Sequence, residues 1–544
     1  MKSYGYVGLI LLFIGTISTT RAAQVHISFS GETSAPSIST FSIGSNVVLS
    51  FQAVATRALA ISPVIHLLVY NAQSKLLTQK FIDMNLSSPG HWSATFKPPQ
   101  RSLGFYRVYA AVHLNNSRIP LPAKGSLPGK YLTYCIVPNP AHRPALSESE
   151  SFFGMQGGFS KATTELLPLL GIRWVLGNLN WAYYSPVAPD KFVDGMQSIK
   201  AGVARRQIEP LTAAYSGQAW NLLPLPTLDV TPPKWLDHLP WDKRLIIWSN
   251  FCRKAGLFFA KQFPDLPEHI YQVEWEPNFK SQFDGTLEQL VQWQRVAYTA
   301  LHSADPHAVV IGPTGSRLNA AALAWSSKLI DLGIAKYLDG WSLHPYTTRN
   351  ASNTIRELQL EHGISTISSE LERSTGHVVP IYSTEAGDQS LPVAADELKQ
   401  ARYLVESNVI MDGMGLRMSI AFYIADFKSP QHYGLYYNDI NGLPFGSTEL
   451  SPKPAAPAFA AMTYLLEGAR PTGKDDLGPA ITAYRFIRGK TNILVAWTTD
   501  NQYALTRLSV QAPQSVVYDW MGNRVPTHHD TDIRIGPNPI YIIN

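Results

Sequence analysis

Between residues 24 and 145, apolar and polar positions alternate in short runs such as "NVVLSFQAVA", "VIHLLVYNA", "GFYRVYAAVHL" and "YLTYCIV". Clusters of Gly, Pro, Ser and Asn separate these runs. A period of two sends successive side chains to opposite faces, and several such runs with turn residues between them predict an antiparallel β-sandwich. The stretch "PNPAHRPALSESES" then breaks all periodicity and reads as a linker.

Over residues 146–470 apolar strands alternate with helical patterns. The strand candidates are 152–158, 173–178, 207–212, 271–276, 309–314, 340–345, 380–387 and 419–424. Helical periodicity marks "TLEQLVQWQRVAYTALHSA" and "DELKQARYLVESNVIMDG", and the long gap after the third candidate predicts a loop followed by a long helix. Eight strands, each followed by a helix, make the count of a (β/α)8 TIM barrel. From 471 to 544 short strands return, as in "NILVAWTT" and "PIYIIN", and predict a small C-terminal β-domain. The expected fold class is a multidomain chain with a central barrel flanked by two β-units.

The first residues change the picture of where the chain works. Lys2 precedes an apolar run from Tyr6 to about Ile17, and small residues lead to Ala22 and Ala23. That order predicts a signal peptide over 1–23 and an exported, periplasmic or secreted protein, with a bacterial source the best fit. Asn85, Asn115 and Asn350 lie in N-x-S/T sequons, which would permit glycans in a eukaryote. Two cysteines, Cys135 and Cys252, exclude a disulfide framework. The formal charge of +5 is spread out with no basic cluster among aromatics, which argues against a nucleic-acid partner. No later run is long enough to span a membrane. No glycine-rich phosphate loop follows a strand, and His528 and His529 share no element with carboxylates at ligand spacing, so neither a cofactor nor a metal is expected.

Barrel active sites lie at the carboxyl ends of the strands. In "YQVEWEPN" Glu274 and Glu276 stand two apart on one face of the predicted strand, and Pro277 ends the pairing and leaves Glu276 at the rim. The seventh strand ends in "STEAG" with Glu385, and the sixth in "HPY" with His344 and Tyr346. Two carboxylates facing each other across a barrel mouth suit acetal hydrolysis, in which one carboxyl protonates the leaving oxygen and the other attacks or activates water. The expected substrate is a polysaccharide or oligosaccharide. Glu274, one layer deeper, reads as a support for the site or as the partner of an interior arginine, with Arg173 on the second strand the candidate. Trp181, Tyr183 and Tyr184 form either a sugar platform or loop packing.

Together "EWEPN", "HPY" and "STEAG" resemble the clan A glycoside hydrolases, with family 39 the nearest in character, and "YGLYYND" and "VYDWMGNRV" add to the likeness. The resemblance covers about residues 150 to 544 and leaves the N-terminal segment outside. It implies a retaining double displacement with Glu276 as general acid/base and Glu385 as nucleophile. Tyr346 would donate a hydrogen bond to Glu385, which stays ionised, and His344 would line the site. Glu276 would carry a raised pKa. The clan places Asn directly before the acid/base to hold the substrate 2-hydroxyl, and here that position is Trp275. Asn178, Asn180 or Asn278 supplies the contact, or the sugar lacks that hydroxyl in the usual orientation, or the site is degenerate. A carbohydrate-binding protein on a decayed barrel and a transglycosylase are the alternative functions.

Overall fold

The structure is a computed structural model that describes residues 27–56, 61–114, 117–118, 131–144, 146–147, 150–157, 161–178, 223–229, 234–348, 351–391, 393–426, 432–438, 450–498, 504–507, 515–526 and 532–544. Residues 1–26, which hold the expected signal segment, lie outside this set.

Eight parallel strands close into a barrel: β1 (Phe153–Gln156), β2 (Trp174–Asn178), β3 (Leu223–Asp229), β4 (His269–Glu274), β5 (Ala308–Ser316), β6 (Gly340–His344), β7 (Ile381–Ala386) and β8 (Met418–Phe422). Phe153 pairs with Ser419, which joins the first strand to the last. Helices follow as α1 (Lys161–Leu170), α2 (Trp241–Gln262), α3 (Leu287–Ala304), α4 (Ala320–Asp331), α5 (Asn353–Thr375), α6 (Ala394–Gly413) and α7 (Ala455–Leu466). The local signals are those the sequence carries. Thr286 and Gln289 form a capping box that starts α3, and Leu290, Trp293, Ala297, Ala300 and Leu301 recur at helical spacing and are buried. Each large apolar side chain so buried stabilises by about 1.5–3 kcal/mol.

Two strands differ from their expected positions. The third was placed at 207–212, which lies outside the described residues, and the strand between β2 and β4 is "LPLPTLD". Its two prolines argue against a central strand. Successive amides point to opposite neighbours, however, so Pro224 and Pro226 lack donors toward one neighbour only. The ladder to β2 spans five positions, while that to β4 begins only at Thr227. Strand β4 ends at Glu274, two residues before Glu276, which takes a left-handed backbone with φ of 50°.

Inside the barrel Trp174, Leu176, Ile270, Ile311, Tyr382, Met418 and Ile420 form a packed cluster that closes the bore beneath the mouth. On the outside, one larger cluster runs without a break from the barrel helices to Phe105 and Cys135 on one side and to Phe486, Val495 and Trp497 on the other. Near the N-terminus a four-stranded sheet and a six-stranded sheet share a single apolar cluster that includes Phe51, Trp92, Val69 and Val108. Near the C-terminus a six-stranded sheet starts at Arg470. Cys135 and Cys252 are both free and buried. No described helix is long and apolar enough to cross a membrane.

The N-terminal sheets are fastened to the barrel by polar contacts in a dry interface. Arg107 donates to Glu397 of α6 at 2.6 Å, Tyr437 also donates to Glu397, and the Thr40 and Tyr436 hydroxyls bond at 2.9 Å. Burial pushes the Glu397 carboxyl up, against the pull of Arg107 and Lys453. Removing one partner of such a pair costs about 3–5 kcal/mol, whereas replacing both with apolar groups restores much of it. We therefore expect Arg107→Met to lower unfolding free energy in urea by about 3 kcal/mol, and Arg107→Met/Glu397→Met to recover part of the loss. Additive losses in the double variant would contradict this.

Candidate active site

The barrel mouth brings together what β4, β6 and β7 carry. His344 ends β6 and is fully buried, and its Nδ1 lies 2.9 Å from Glu276 Oε1 and 3.4 Å from Glu385 Oε2. Tyr346 donates its hydroxyl to Glu385 Oε2 at 2.8 Å, and Glu385 Oε1 is buried without a hydrogen bond. Each of Glu276, His344 and Glu385 places one oxygen or nitrogen within 4.8 Å of the other two. The three come from the turn after β4 and from β6 and β7, so a search for ligand spacing on one element misses them. They also form a donor set of the kind that binds cations, although here the hydrogen bond between His344 and Glu276 already joins them.

The surrounding cavity holds about 550 Å³. Trp275, Phe279, Phe422 and Tyr433 give it aromatic walls, and Ser316, Arg317, Arg356, Gln359 and Asp388 give it polar ones. The Trp275 indole meets the His344 ring edge-on with centroids 5.0 Å apart. Gly387 closes the "STEAG" turn because a Cβ there would lie 2.2 Å from the Phe422 carbonyl oxygen. Arg356, on α5, donates to Asp388 at 2.9 Å and stacks over Tyr403. Sequence reasoning missed this pair and Arg317. The one signal available was their position just after β5 and β7 or at the start of the helix after β6.

Several expected site residues sit elsewhere. Asn278 makes two hydrogen bonds with Ser316 at the end of β5, donating to its carbonyl at 3.2 Å and accepting from its N–H at 2.9 Å, and it does not line the cavity. It is a clamp on the strand-four turn rather than a group facing the cavity. Asn178 ends β2, and its side chain is not described; Asn180 and Trp181 lie outside the described residues, as do Tyr183 and Tyr184. Arg173 does not reach Glu274. It precedes β2 at the amino end of the barrel and donates to the carbonyls of Leu146 and Ser147. Glu274 ends β4, level with Asp229, and Trp174 is level with Leu223, six positions or about 20 Å lower on β3.

The resting electrostatics reverse the expected ordering. Burial pushes the Glu385 carboxyl up to about 7, with the Glu276 charge adding to the rise and His344 and Tyr346 opposing it. Glu276 is also pushed up by burial, but the His344 hydrogen bond and charge, a Ser316 hydrogen bond and the Arg317 charge outweigh this and hold it below the usual range. The physical reason is exposure together with neighbours: the Glu276 side chain is 18% exposed and that of Glu385 4%, and Glu276 has the additional stabilising partners Ser316 and Arg317. Burial and the neighbouring carboxylate also push the Tyr346 hydroxyl far up, so it stays a donor.

No protein-family model matches the chain, and no curated protein sequence matches it. Among solved structures, a family 39 glycoside hydrolase from the gut symbiont Bacteroides cellulosilyticus WH2 is similar in fold, with a TM-score of 0.64 and 16% identity. The match covers 94% of this chain and 99% of that one. The chain shares the fold of that structure. A conserved exported protein from Bacteroides fragilis matches with a TM-score of 0.55 and 12% identity over 74% of this chain and 99% of that one. SrfJ from Salmonella typhimurium matches with a TM-score of 0.50 and 11% identity over 88% and 99%. A coverage of 94% cannot omit the N-terminal sheets, so the likeness extends beyond the 150–544 span expected from motifs.

The clamp yields a direct test. Asn278→Ala leaves the buried Ser316 N–H without its acceptor and should lower unfolding free energy in urea by about 2 kcal/mol. Asn278→Asp keeps the acceptor and should lose less. Equal losses in the two variants would count against the clamp.

Proposed function

We propose that the protein is a retaining glycoside hydrolase acting on a polysaccharide or oligosaccharide. The observation that carries this reading is that Glu276, just beyond β4, and Glu385, in β7, each bring one carboxylate oxygen to within 4.8 Å of the other. Retaining enzymes hold their carboxyl groups about 5–5.5 Å apart, whereas inverting enzymes need about 6.5–9.5 Å to admit a water.

In this reading Glu276 protonates the glycosidic oxygen while Glu385 Oε1, which has no other hydrogen bond, attacks the anomeric carbon. The bond to the leaving sugar breaks and a covalent glycosyl-enzyme forms. Glu276, now ionised, then takes a proton from water as that water attacks the same carbon, and the sugar leaves with its anomeric configuration retained. Tyr346 holds Oε2 of the nucleophile throughout. The resting proton sits nearer Glu385, and His344 Nδ1, between the two carboxylates, offers the path along which it passes to Glu276 when substrate binds. Asn278 is clamped to Ser316 and does not line the cavity, so in this reading it is not the group that makes the 2-hydroxyl contact Asn makes elsewhere in the clan. We propose further that residues 24–145 form a β-sandwich domain and 471–544 a small β-domain, both bracing the 146–470 barrel.

Reducing-end release from a panel of bacterial exopolysaccharides and plant xylans should fall by at least about 10³-fold in Glu276→Gln and Glu385→Gln, the scale of removing a group that acts in the transition state. The first product should keep its anomeric configuration by NMR. Inversion, or near wild-type rates in either variant, would refute the reading, and glycan binding without cleavage by the wild type would favour the decayed-barrel alternative.

The active form carries one proton on the pair, wherever it rests. Its loss is governed by the upper ionisation, at about 7, and a second proton is taken only below the usual glutamate range. The kcat/KM profile should therefore fall as pH rises through about 7 and stay high down to below pH 4.5. A rate that instead rises through pH 7 would mean that the doubly ionised pair is the working form.

A further inference from the structure

Most charges lining the cavity have a partner of opposite sign. Arg356 meets Asp388, and His344 lies between Glu276 and Glu385. Arg317 is the exception: among the described residues no carboxylate lies within 4.0 Å of its guanidinium. Its backbone is nevertheless fixed. It follows β5 in a left-handed backbone with φ of 74°, a conformation that costs a non-glycine residue free energy and persists where surrounding structure enforces it. Its N–H donates to the His344 carbonyl at 2.8 Å, and the next residue, Leu318, donates to the Tyr346 carbonyl at 3.3 Å. The guanidinium carbon sits 5.7 Å from the centre of the Phe279 ring, which lines the same cavity. The fold therefore places an exposed cation on the cavity wall, close enough for its charge to act on Glu276 but, among the described residues, without an ion-pair contact.

We propose that Arg317 anchors an anionic group on the sugar chain, a carboxylate or a sulfate ester, bound next to Glu276. The proposal rests on the cavity being the glycan site. A guanidinium presents paired donors that match two oxygens of a carboxylate or of a sulfate ester. The placement also has a consequence for the acid. The Arg317 charge favours ionised Glu276, and a bound anion opposes that charge, so an acidic substrate helps return the proton to the group that must donate it.

The test is binding rather than cleavage, so its outcome is independent of the hydrolysis assays. D-glucuronate, D-glucose 6-sulfate and D-glucose are titrated at constant ionic strength into Glu385→Gln protein and followed by ligand-observed NMR. At least one anionic sugar should bind about tenfold more tightly than glucose. Adding Arg317→Met, or Arg317→Asn, which tolerates the left-handed backbone, should bring it to within about twofold of glucose while glucose itself is unaffected. Preference for glucuronate alone assigns a carboxylate, and for the sulfate alone a sulfate ester. No preference for either anion, absent binding included, overturns the proposal, as does a preference that survives both substitutions.

Discussion

Two carboxylates and an imidazole are packed against one another at the barrel mouth, and the site takes its character from that crowding. Glu276 and Glu385 both approach His344 Nδ1, at 2.9 and 3.4 Å. Like charges this close, with one of them shut away from water, do not both ionise freely. The pair therefore holds a proton to about neutrality, and acid and base roles become available without a metal or cofactor being part of the scheme. The ordering of the two groups follows from exposure and neighbours. Glu385 is the more deeply buried, while Glu276 answers to Ser316 and Arg317 as well as His344.

The scaffold explains how such crowding is sustained. Residues far apart in sequence meet because β4, β5, β6 and β7 are successive neighbours in the sheet, which the pairing of β1 with β8 closes into a barrel. A packed plug of Trp174, Tyr382, Met418 and their neighbours fills the bore below, so the polar groups cannot sink inward. Above it the strand ends are laced together by Asn278 to Ser316 and by Arg317 and Leu318 to the end of β6. Two residues at this rim, Glu276 and Arg317, adopt left-handed backbones. Strain of this kind concentrates where surrounding structure over-determines a functional geometry. The outer sheets contribute stiffness through a continuous apolar cluster and buried polar contacts such as Arg107 with Glu397.

Much of this was legible in the sequence because it rests on period and local signals. Seven of the barrel strands, the capped helix after β4, and the placement of Glu276, His344, Tyr346 and Glu385 at strand ends follow from hydrophobic spacing and the rule that barrel chemistry sits at the carboxyl rim. The third strand was not legible because its prolines read as punctuation, and only the register shows that they spare one ladder. The Glu274–Arg173 pairing failed because a barrel has two ends, and sequence does not measure height along a strand. The electrostatic ordering was hidden for a related reason. It depends on which carboxylate is buried and on Ser316 and Arg317, brought in from β5, and neither is a property of the motifs around the two glutamates.

The most direct measurement on the central claim is a difference infrared titration of the carboxyl band, wild type against Glu385→Gln, in the absence of any sugar. A protonated carboxyl that persists in the wild type to about pH 7 and is absent from the variant would show that the pair retains a proton where acid–base chemistry needs it. If the difference band vanishes within the ordinary glutamate range, near pH 4.5, the two carboxylates are independent surface-like groups and the account of the site is wrong.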